Sequence, residues 1–181
     1  GYSCQANMMR NDTVWATMAR AFESSTGPLS SRMLSALDAA QSVGGDLRGQ
    51  QSAAILIVPA EGSVDDKVLD IRVEDSPTPL VELRRLMTLG EAYSLADEGD
   101  DLLARGDFGA ASSRYVEANR IAPDNDELRF WAGLGLLSAG AQERGLELIR
   151  ASIAHDDSWR ELLIRLDPAD VPSAPEALRL L

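Results

Sequence analysis

The chain has 181 residues, 45% of them hydrophobic, which suffices for one large domain or two small ones with apolar cores. Its net charge of −12 makes a nucleic-acid backbone an unfavourable partner, and its single cysteine excludes an internal disulfide. With one histidine as well, the sequence predicts no metal site and no cofactor. No apolar run approaches the roughly 20 residues that span a bilayer, and nothing resembles a signal peptide. We therefore predict a soluble, cytoplasmic protein without a membrane partner.

The first forty-five residues predict one strand and two helices. The opening stretch "GYSCQANMM" has the pattern of a strand from its first residue. Asn11 or Asp12 can cap a helix that runs to about Ser24. Pro28 suits the start of a second helix, which should stop at Gly44-Gly45.

Two more strands follow, and after them only helices. The continuous apolar run "AAILIV" (53–58) predicts a central strand covered on both faces. The stretch "KVLDIRVED" alternates, with Leu69, Ile71 and Val73 on one face. Three strands are too few to cover such a central strand. We therefore expect an upstream segment of the same protein or a second copy to complete the sheet, or the helices after Pro79 to fold back over it.

Three motifs in the first half occur in the order and at the distances of a known family. They are "QANMM", "GGDLRGQQSA" and "DIRVED", within residues 1 to 89. This region resembles the second half of a bacterial family known as domain of unknown function 1028. The family in turn resembles the N-terminal-nucleophile hydrolases, which have two stacked antiparallel sheets between helical layers. The resemblance implies a partial αββα domain at 1–89 and a nucleophile upstream of Gly1, so the catalytic residues stay unknown.

Cys4 invites interpretation as a nucleophile because it lies near the chain start. That role would require removal of residues 1–3, since such a nucleophile uses its own α-amino group as the base. Nothing in the sequence signals this processing. The other interpretation, which we favour, is a buried thiol that packs as a small apolar group.

The loop "GGDLRGQQSA" carries the candidate binding residues. Asp46, Arg48 and Gln51 precede the central strand, and Gln5 and Asn7 alternate onto one face of the predicted first strand. A carboxylate, a guanidinium and amides can bind a small polar substrate, and an amide can stabilise an oxyanion. We expect Asn7, Asp46 and Arg48 to lie within a few ångströms of each other. Alternatively, these side chains only satisfy one another and nearby backbone groups.

The second half shows a 34-residue repeat that resembles the tetratricopeptide type. The small and large packing positions of the first copy are Gly99, Leu102, Ala111, Tyr115, Ala118 and Pro123, and those of the second are Gly133, Leu136, Gly145, Ile149 and Ser152. Arg129 departs from the pattern at a position that favours a large apolar residue, and Trp131 is expected to compensate. Asp157 stands where proline is usual.

The predicted architecture is thus α+β, with a helical-hairpin domain at 90–166 after the first domain and a proline-rich tail at 167–181. "WRELLIRL" is expected to cap the repeats, and His155 to cap a helix. Two functions stay open. The chain is either part of an amide hydrolase for a small polar substrate, or a non-catalytic scaffold whose repeats bind a peptide or protein or mediate self-association.

Overall fold

A computed structural model describes residues 1–63 and 67–181, which divide into two compact units. Unit 1 is Gly1–Met87 and unit 2 is Thr88–Leu181. The structure is mostly helical with a small antiparallel sheet, consistent with the α+β class. The elements are α1 (Val14–Ser24), α2 (Leu29–Ser42), β1 (Ala53–Ile57), β2 (Leu69–Val73), α3 (Pro79–Ala104), α4 (Phe108–Ile121), α5 (Asp126–Ser138), α6 (Gln142–His155), α7 (Ser158–Arg165) and α8 (Ala174–Leu180).

The two predicted helices of unit 1 form, but the predicted cap of α1 is wrong. Thr13 precedes α1 and its side chain makes no capping hydrogen bond. The side chain of Asn11 instead accepts from the Thr13 backbone N–H (2.9 Å), which makes a turn before the helix. Pro28 immediately precedes α2, and the helix ends before Gly44-Gly45, as the sequence predicts.

The core of unit 1 lies between the helices and one face of the sheet. β1 and β2 are antiparallel, with Ile55 opposite Ile71. Ile55 and Val73 are buried against Leu34 of α2 and Leu83 of α3. Leu69, Ile71 and Val73 all contribute to this cluster, which confirms the alternation predicted for β2. The first turns of α3 therefore pack on the same face of the sheet as α2, and they leave the face of Leu56 exposed.

One strand prediction for unit 1 is wrong, and the second covering layer of β1 stays a prediction. Residues 1–7 form no strand, and only Met9 makes an isolated bridge, with Asp46. β1 is covered on one face, because Leu56 is 50% exposed while its neighbour Ile55 is buried. An apolar run shows that its side chains tolerate burial, but not that the same chain supplies both covering layers. Among the described residues, the sheet has two strands.

Unit 2 is built from helical hairpins, with α4 packed on α5 and α5 on α6. The side chain of Asp107 caps α4 by accepting from the Ala110 N–H, and that of Asn125 caps α5 by accepting from the Leu128 N–H. Each donor lies three residues further on, in the first turn of its helix. Tyr115 and Ile149 are buried, as predicted. The helix order and these two buried positions fit the repeat pattern.

Arg129 is accommodated by polar partners and not by Trp131. Its guanidinium lies 2.7 Å from Asp126 and also donates to the Pro123 carbonyl oxygen. Trp131 is partly exposed, so the expectation that it compensates for Arg129 is wrong. Phe130, next to Trp131, is fully buried and packs against the ring of Trp159. A charged side chain at this position is tolerated because its partners keep it paired.

The C-terminal residues continue the packing of unit 2. α7 corresponds to the predicted capping helix, and α8 forms within the segment expected as a tail. Ala174 and Ala177 of α8 are buried in a cluster that includes Phe130 of α5 and Leu163 of α7. α8 therefore belongs to the core of unit 2. His155 ends α6 and its Nδ1 contacts the Asp126 carboxylate.

Candidate functional site

The loop after α2 is shaped by glycines that a side chain would not suit. Gly44 and Gly45 have φ values of 114° and 58°. Their N–H groups donate back to the carbonyls of Gln41 and Ala40, which closes the end of α2. A Cβ on Gly45 would lie 2.6 Å from Oε1 of Gln41. The chain therefore turns sharply and delivers Asp46 to the surface beside α2.

Residues 8–10 hold this loop from the other side. The Arg10 N–H donates to the Gly45 carbonyl, and the Leu47 N–H donates to the Met8 carbonyl, each at 2.9 Å. Met8, directly after Asn7, has a φ of 52°, which is not the backbone conformation of a strand. The segment thus fixes the loop by backbone contacts around Asp46, although it is not the predicted strand.

Asp46 and Arg48 form a two-pronged ion pair. One carboxylate oxygen of Asp46 accepts from Arg48 Nε at 2.9 Å and from the Arg48 backbone N–H at 2.8 Å. The other oxygen accepts from Nη2 at 2.5 Å. The Arg48 side chain is 65% exposed and that of Asp46 23% exposed. The pair thus fixes a guanidinium whose remaining N–H groups can reach a ligand.

This geometry keeps the pair charged over a wide pH range. The hydrogen bonds from the Arg48 side chain, and then from its backbone N–H, lower the pKa of Asp46 to about 2. The same contact raises the pKa of Arg48 above its ordinary value. Asp46 is therefore a carboxylate and a hydrogen-bond acceptor at neutral pH, and not a proton donor.

A cleft of about 530 Å³ lies beside the pair, within the size range of small-molecule sites. Its apolar wall comes from α2 and the start of α3, and its polar wall comes from the loop before β1. The lining residues are Met9, Leu37, Ala40, Gln41, Gly45, Asp46, Arg48, Gly49, Gln50, Gln51, Ser52, Ala53, Ala54, Pro79 and Leu80. The cleft thus combines a fixed ion pair, the amides of three glutamines and an apolar wall.

The structure brings together three of the five candidate residues named from the sequence. Asp46, Arg48 and Gln51 line the cleft, whereas Gln5 and Asn7 are exposed and do not line it. Asn7 makes no hydrogen bond with Asp46 or Arg48 among the described residues. The strand on which both were placed does not form, so the alternation that aligned them does not apply.

Sequence reasoning missed the wall that α2 contributes. Gln41 lines the cleft together with Ala40, which directly precedes it, and Leu37, one turn earlier on the same helix. The signal that could have found it is the spacing i, i+3, i+4, which places the three side chains on one face that ends at the glycine turn. Gln41 adds an amide whose donor and acceptor both suit a polar ligand.

No nucleophile and base are paired at this cleft. Ser52 contributes the hydroxyl among the lining residues, but it makes no hydrogen bond with a basic side chain in the described structure. Cys4 is a free, partly buried thiol outside the lining. No three His, Cys, Asp or Glu side chains of the described ranges gather closely enough to hold a metal ion. The arrangement can bind and orient a polar group.

Comparison with protein families gives one match. Residues 1–83 match the model of a family of unknown function, DUF1028. This confirms the resemblance to that family over residues 1–83, which include every residue lining the cleft. Searches of curated proteins and of solved structures find no match to the chain. In 1–63 and 67–181, no helix has both the length and the apolar character needed to cross a membrane.

Proposed function

We propose that unit 1 is the substrate-binding part of an amide hydrolase that acts on a small polar molecule. The observation that carries this proposal is the fixed Asp46–Arg48 pair at the edge of a cleft of small-molecule size. The guanidinium presents N–H donors to a carboxylate or carbonyl oxygen of the substrate, and Asp46 holds it in place. Gln41 and Gln51 supply amides that can recognise an amide group.

In this proposal the cleft binds the substrate, and a nucleophile outside the chain attacks it. The resemblance to the N-terminal-nucleophile hydrolases supports a nucleophile supplied by an upstream segment of the same protein. That segment, or a second copy, would also cover the exposed face of β1 at Leu56. An amide substrate held by Arg48 would present its carbonyl to that nucleophile. Asn7 stays a candidate oxyanion donor in this arrangement. To reach the substrate, the segment before Met8 would move towards the cleft when a further layer covers the exposed face of β1.

The binding step can be tested on this chain alone. Titration with N-acetylated amino acids and ureido acids, followed by amide chemical shifts, should perturb Gly49 and Gln51 first. Arg48→Lys keeps the charge but loses the planar two-pronged contact, so affinity should fall by about tenfold or more. Arg72→Gln is the matched control, because Arg72 is an exposed arginine on β2 outside the cleft. Absence of any perturbation at 45–54 with every compound would overturn the proposal.

The second candidate function is a scaffold in which unit 2 binds a protein. The observation that favours it is large apolar side chains left exposed on its helices. Ile164 on α7 is 63% exposed beside the buried Leu163, and Phe108 at the start of α4 is also exposed. Such side chains are typical of contact surfaces when they lie on an ordered helical frame.

Sedimentation over a range of protein concentrations tests this second candidate. If these side chains mediate self-association, Ile164→Glu should shift the protein toward monomer while the melting temperature stays the same. Arg160→Gln, on the same helix and exposed, is the control. A monomer at all concentrations for the unchanged protein would exclude self-association through this surface.

A further inference from the structure

We propose that the cleft of unit 1 selects an uncharged amide with an apolar body, and that Asp46 sets this preference by neutralising Arg48. This inference rests on the proposed function, in which the cleft binds the substrate of an amide hydrolase. That function leaves open whether Arg48 meets a carboxylate or a carbonyl oxygen of the substrate. The charges and contacts of the cleft favour the carbonyl oxygen.

The formal charges along the cleft cancel. Among the described residues that line it, Asp46 and Arg48 carry the formal charges, and the other polar side chains are glutamine amides and a serine hydroxyl. Both carboxylate oxygens of Asp46 accept from the Arg48 guanidinium. These hydrogen bonds lower the pKa of Asp46 to about 2, so its negative charge is present at neutral pH. A ligand therefore meets a cleft without net charge.

Asp46 occupies one edge of the Arg48 guanidinium and leaves donors on another. Nε and Nη2 donate to Asp46, whereas Nη1 has no hydrogen-bond acceptor within the described ranges. A carbonyl oxygen can accept from these remaining N–H groups at little cost in hydration. A ligand carboxylate would share one cation with the Asp46 carboxylate and would lose more hydration. The net charge of −12 on the chain also disfavours the approach of an anion.

The apolar wall of the cleft indicates the body of the ligand. Leu37 of α2 and Leu80 of α3 line the cleft and pack against the buried cluster that includes Ile55. Pro79, at the start of α3, lines the cleft as well and is buried. The wall is therefore a fixed edge of the core. An apolar group that covers it stabilises the complex in rough proportion to the apolar area removed from water.

The amide of Gln41 lies against the glycine turn that carries Asp46. A Cβ on Gly45 would lie 2.6 Å from the Gln41 Oε1 atom, so glycine at this position leaves room for the amide. Gln41 and Gln51 each offer a donor and an acceptor, which is also what an amide ligand offers. Such a pair of amides can satisfy each other without any formal charge.

Three small molecules test the preference on the full chain. N-acetyl-L-leucinamide is an uncharged amide with an apolar body, N-acetyl-L-leucine carries a carboxylate instead, and N-acetylglycinamide lacks the apolar body. Dissociation constants are measured from the amide chemical shifts of residues 45–54. N-acetyl-L-leucinamide should bind at least about threefold more tightly than either of the others. Equal or tighter binding of N-acetyl-L-leucine or of N-acetylglycinamide would overturn the proposal.

Asp46→Asn should reverse the preference between the amide and the acid. The variant removes the charge of Asp46 but keeps a side-chain oxygen that can accept from the Arg48 backbone N–H. The guanidinium charge is then uncompensated, so N-acetyl-L-leucine should bind at least about threefold more tightly than N-acetyl-L-leucinamide. A loss of local structure alone would weaken both compounds and would not reverse their order. An unchanged order of binding in Asp46→Asn would contradict the role of Asp46.

The matched control is Asp70→Asn, which removes the same charge outside the cleft lining. The Asp70 side chain is 25% exposed, against 23% for Asp46, and it also forms ion pairs, with Lys67 and Arg72. The control should keep the preference for N-acetyl-L-leucinamide. A reversal as large as that in Asp46→Asn would show that the charge of the whole chain sets the preference, and would overturn the proposal.

Ionic strength keeps the proposal testable if Asp46→Asn does not fold. Added salt should leave the affinity of the unchanged protein for N-acetyl-L-leucine the same or raise it, because screening weakens the repulsion from a negatively charged chain. A steep fall in that affinity with salt would show a net positive cleft and would contradict the proposal.

Failure of the ligand assignment and failure of the proposed function give different results. If none of these compounds, nor the N-acetylated and ureido acids, perturbs residues 45–54, both fail. If N-acetyl-L-leucine binds at the cleft more tightly than N-acetyl-L-leucinamide, the cleft still binds a small polar substrate, and the preference for an uncharged ligand alone is wrong.

Discussion

Gly133 and Gly145 face each other across the contact between α5 and α6. A Cβ on Gly145 would lie 2.6 Å from the Gly133 carbonyl oxygen, and one on Gly133 would lie 2.9 Å from the Gly145 carbonyl oxygen. Each glycine therefore permits the backbone of the other helix to approach. The sequence pattern assigned small packing positions to both residues, and the structure shows the physical reason for them.

Gly145→Ala should destabilise unit 2 by about 1–3 kcal/mol, since the added methyl group meets backbone atoms that cannot move independently. Gly109→Ala is the matched control, because a Cβ there meets nothing within 4 Å. Alanine favours the helix by up to about 1 kcal/mol over glycine, so the control should be neutral or slightly stabilising. Urea unfolding of both variants measures the difference. Equal stabilities would contradict the close approach.

Tyr115 should make the stability of unit 2 depend on pH in the alkaline range. Burial, and then the hydrogen bond to Asp100 (2.6 Å), raises the pKa of Tyr115 above its ordinary value near 10. Above about pH 10 the unfolded chain loses this proton while the folded chain keeps it. The free energy of unfolding should therefore fall as the pH rises through that range.

Tyr115→Phe isolates the contribution of this hydroxyl. The variant should lose about 1–3 kcal/mol near pH 7, because the hydrogen bond to Asp100 is removed. Its stability should fall less steeply above pH 10 than that of the unchanged protein, as measured by unfolding at a series of pH values. Tyr115→Asp should unfold the unit, since it buries a charge in place of the ring. An unchanged melting transition for Tyr115→Asp would contradict the packing of this residue.

Local sequence patterns correctly predicted the helices and strands that pack against other parts of this chain. Helix α2 ends at the glycine pair because few residues other than glycine adopt the required backbone angles. β2 alternates because one face rests on Leu34 and Leu83, both supplied by the chain itself. The first strand was predicted wrongly, and the second covering layer of β1 stays a prediction. Both required partner strands or layers, and the sequence of a segment does not report whether a partner is present.

Only contacts between residues close in sequence could be predicted for the candidate site. Asp46 and Arg48 are two residues apart, so a pair between them follows from local geometry. Gln41 and Leu80 reach the same cleft from other elements, through tertiary packing that no short motif encodes. Asn7 was placed beside the pair from an expected strand register. The positive φ of Met8 interrupts that register.

The Asp46–Arg48 pair should persist in acid. Its hydrogen bonds lower the pKa of Asp46 to about 2, so its contribution to stability is present above about pH 4 and is lost as the pH falls towards 2. Carboxyl chemical shifts across an acid titration measure this pKa. Arg48→Gln should return it to near the ordinary value for aspartate. A pKa for Asp46 near 4 in the unchanged protein would show that the pair does not form in solution.

The two faces of β1 should respond differently to substitution. Ile55→Ala should destabilise unit 1 by about 2–5 kcal/mol, because it empties space in the cluster with Leu34 and Val73. Leu56→Thr, one residue later on the exposed face, should change the free energy of unfolding by about 0.5 kcal/mol or less. Chemical denaturation distinguishes them. A large cost for Leu56→Thr would mean that another layer covers this face in solution.

Arg129→Leu tests whether unit 2 follows the repeat pattern at its most divergent position. The Arg129 and Asp126 side chains are each 17% exposed, so their pairing must offset the loss of hydration. Replacing an enclosed ion pair with apolar packing is often neutral or stabilising, whereas removing one partner leaves the other charge unpaired. Arg129→Leu alone leaves Asp126 with His155 and the start of α5, so its charge retains partners.

We therefore expect Arg129→Leu to be neutral or to raise the melting temperature. Asp126→Asn should lower it, because Arg129 then loses its charged partner and keeps neutral acceptors, the Pro123 carbonyl among them. Thermal unfolding of both variants and of the double variant gives the coupling between the two sites. If Arg129→Leu destabilised unit 2 as much as Asp126→Asn did, the ion pair itself would be required at this position. The resemblance to the repeat would then fail where α5 begins.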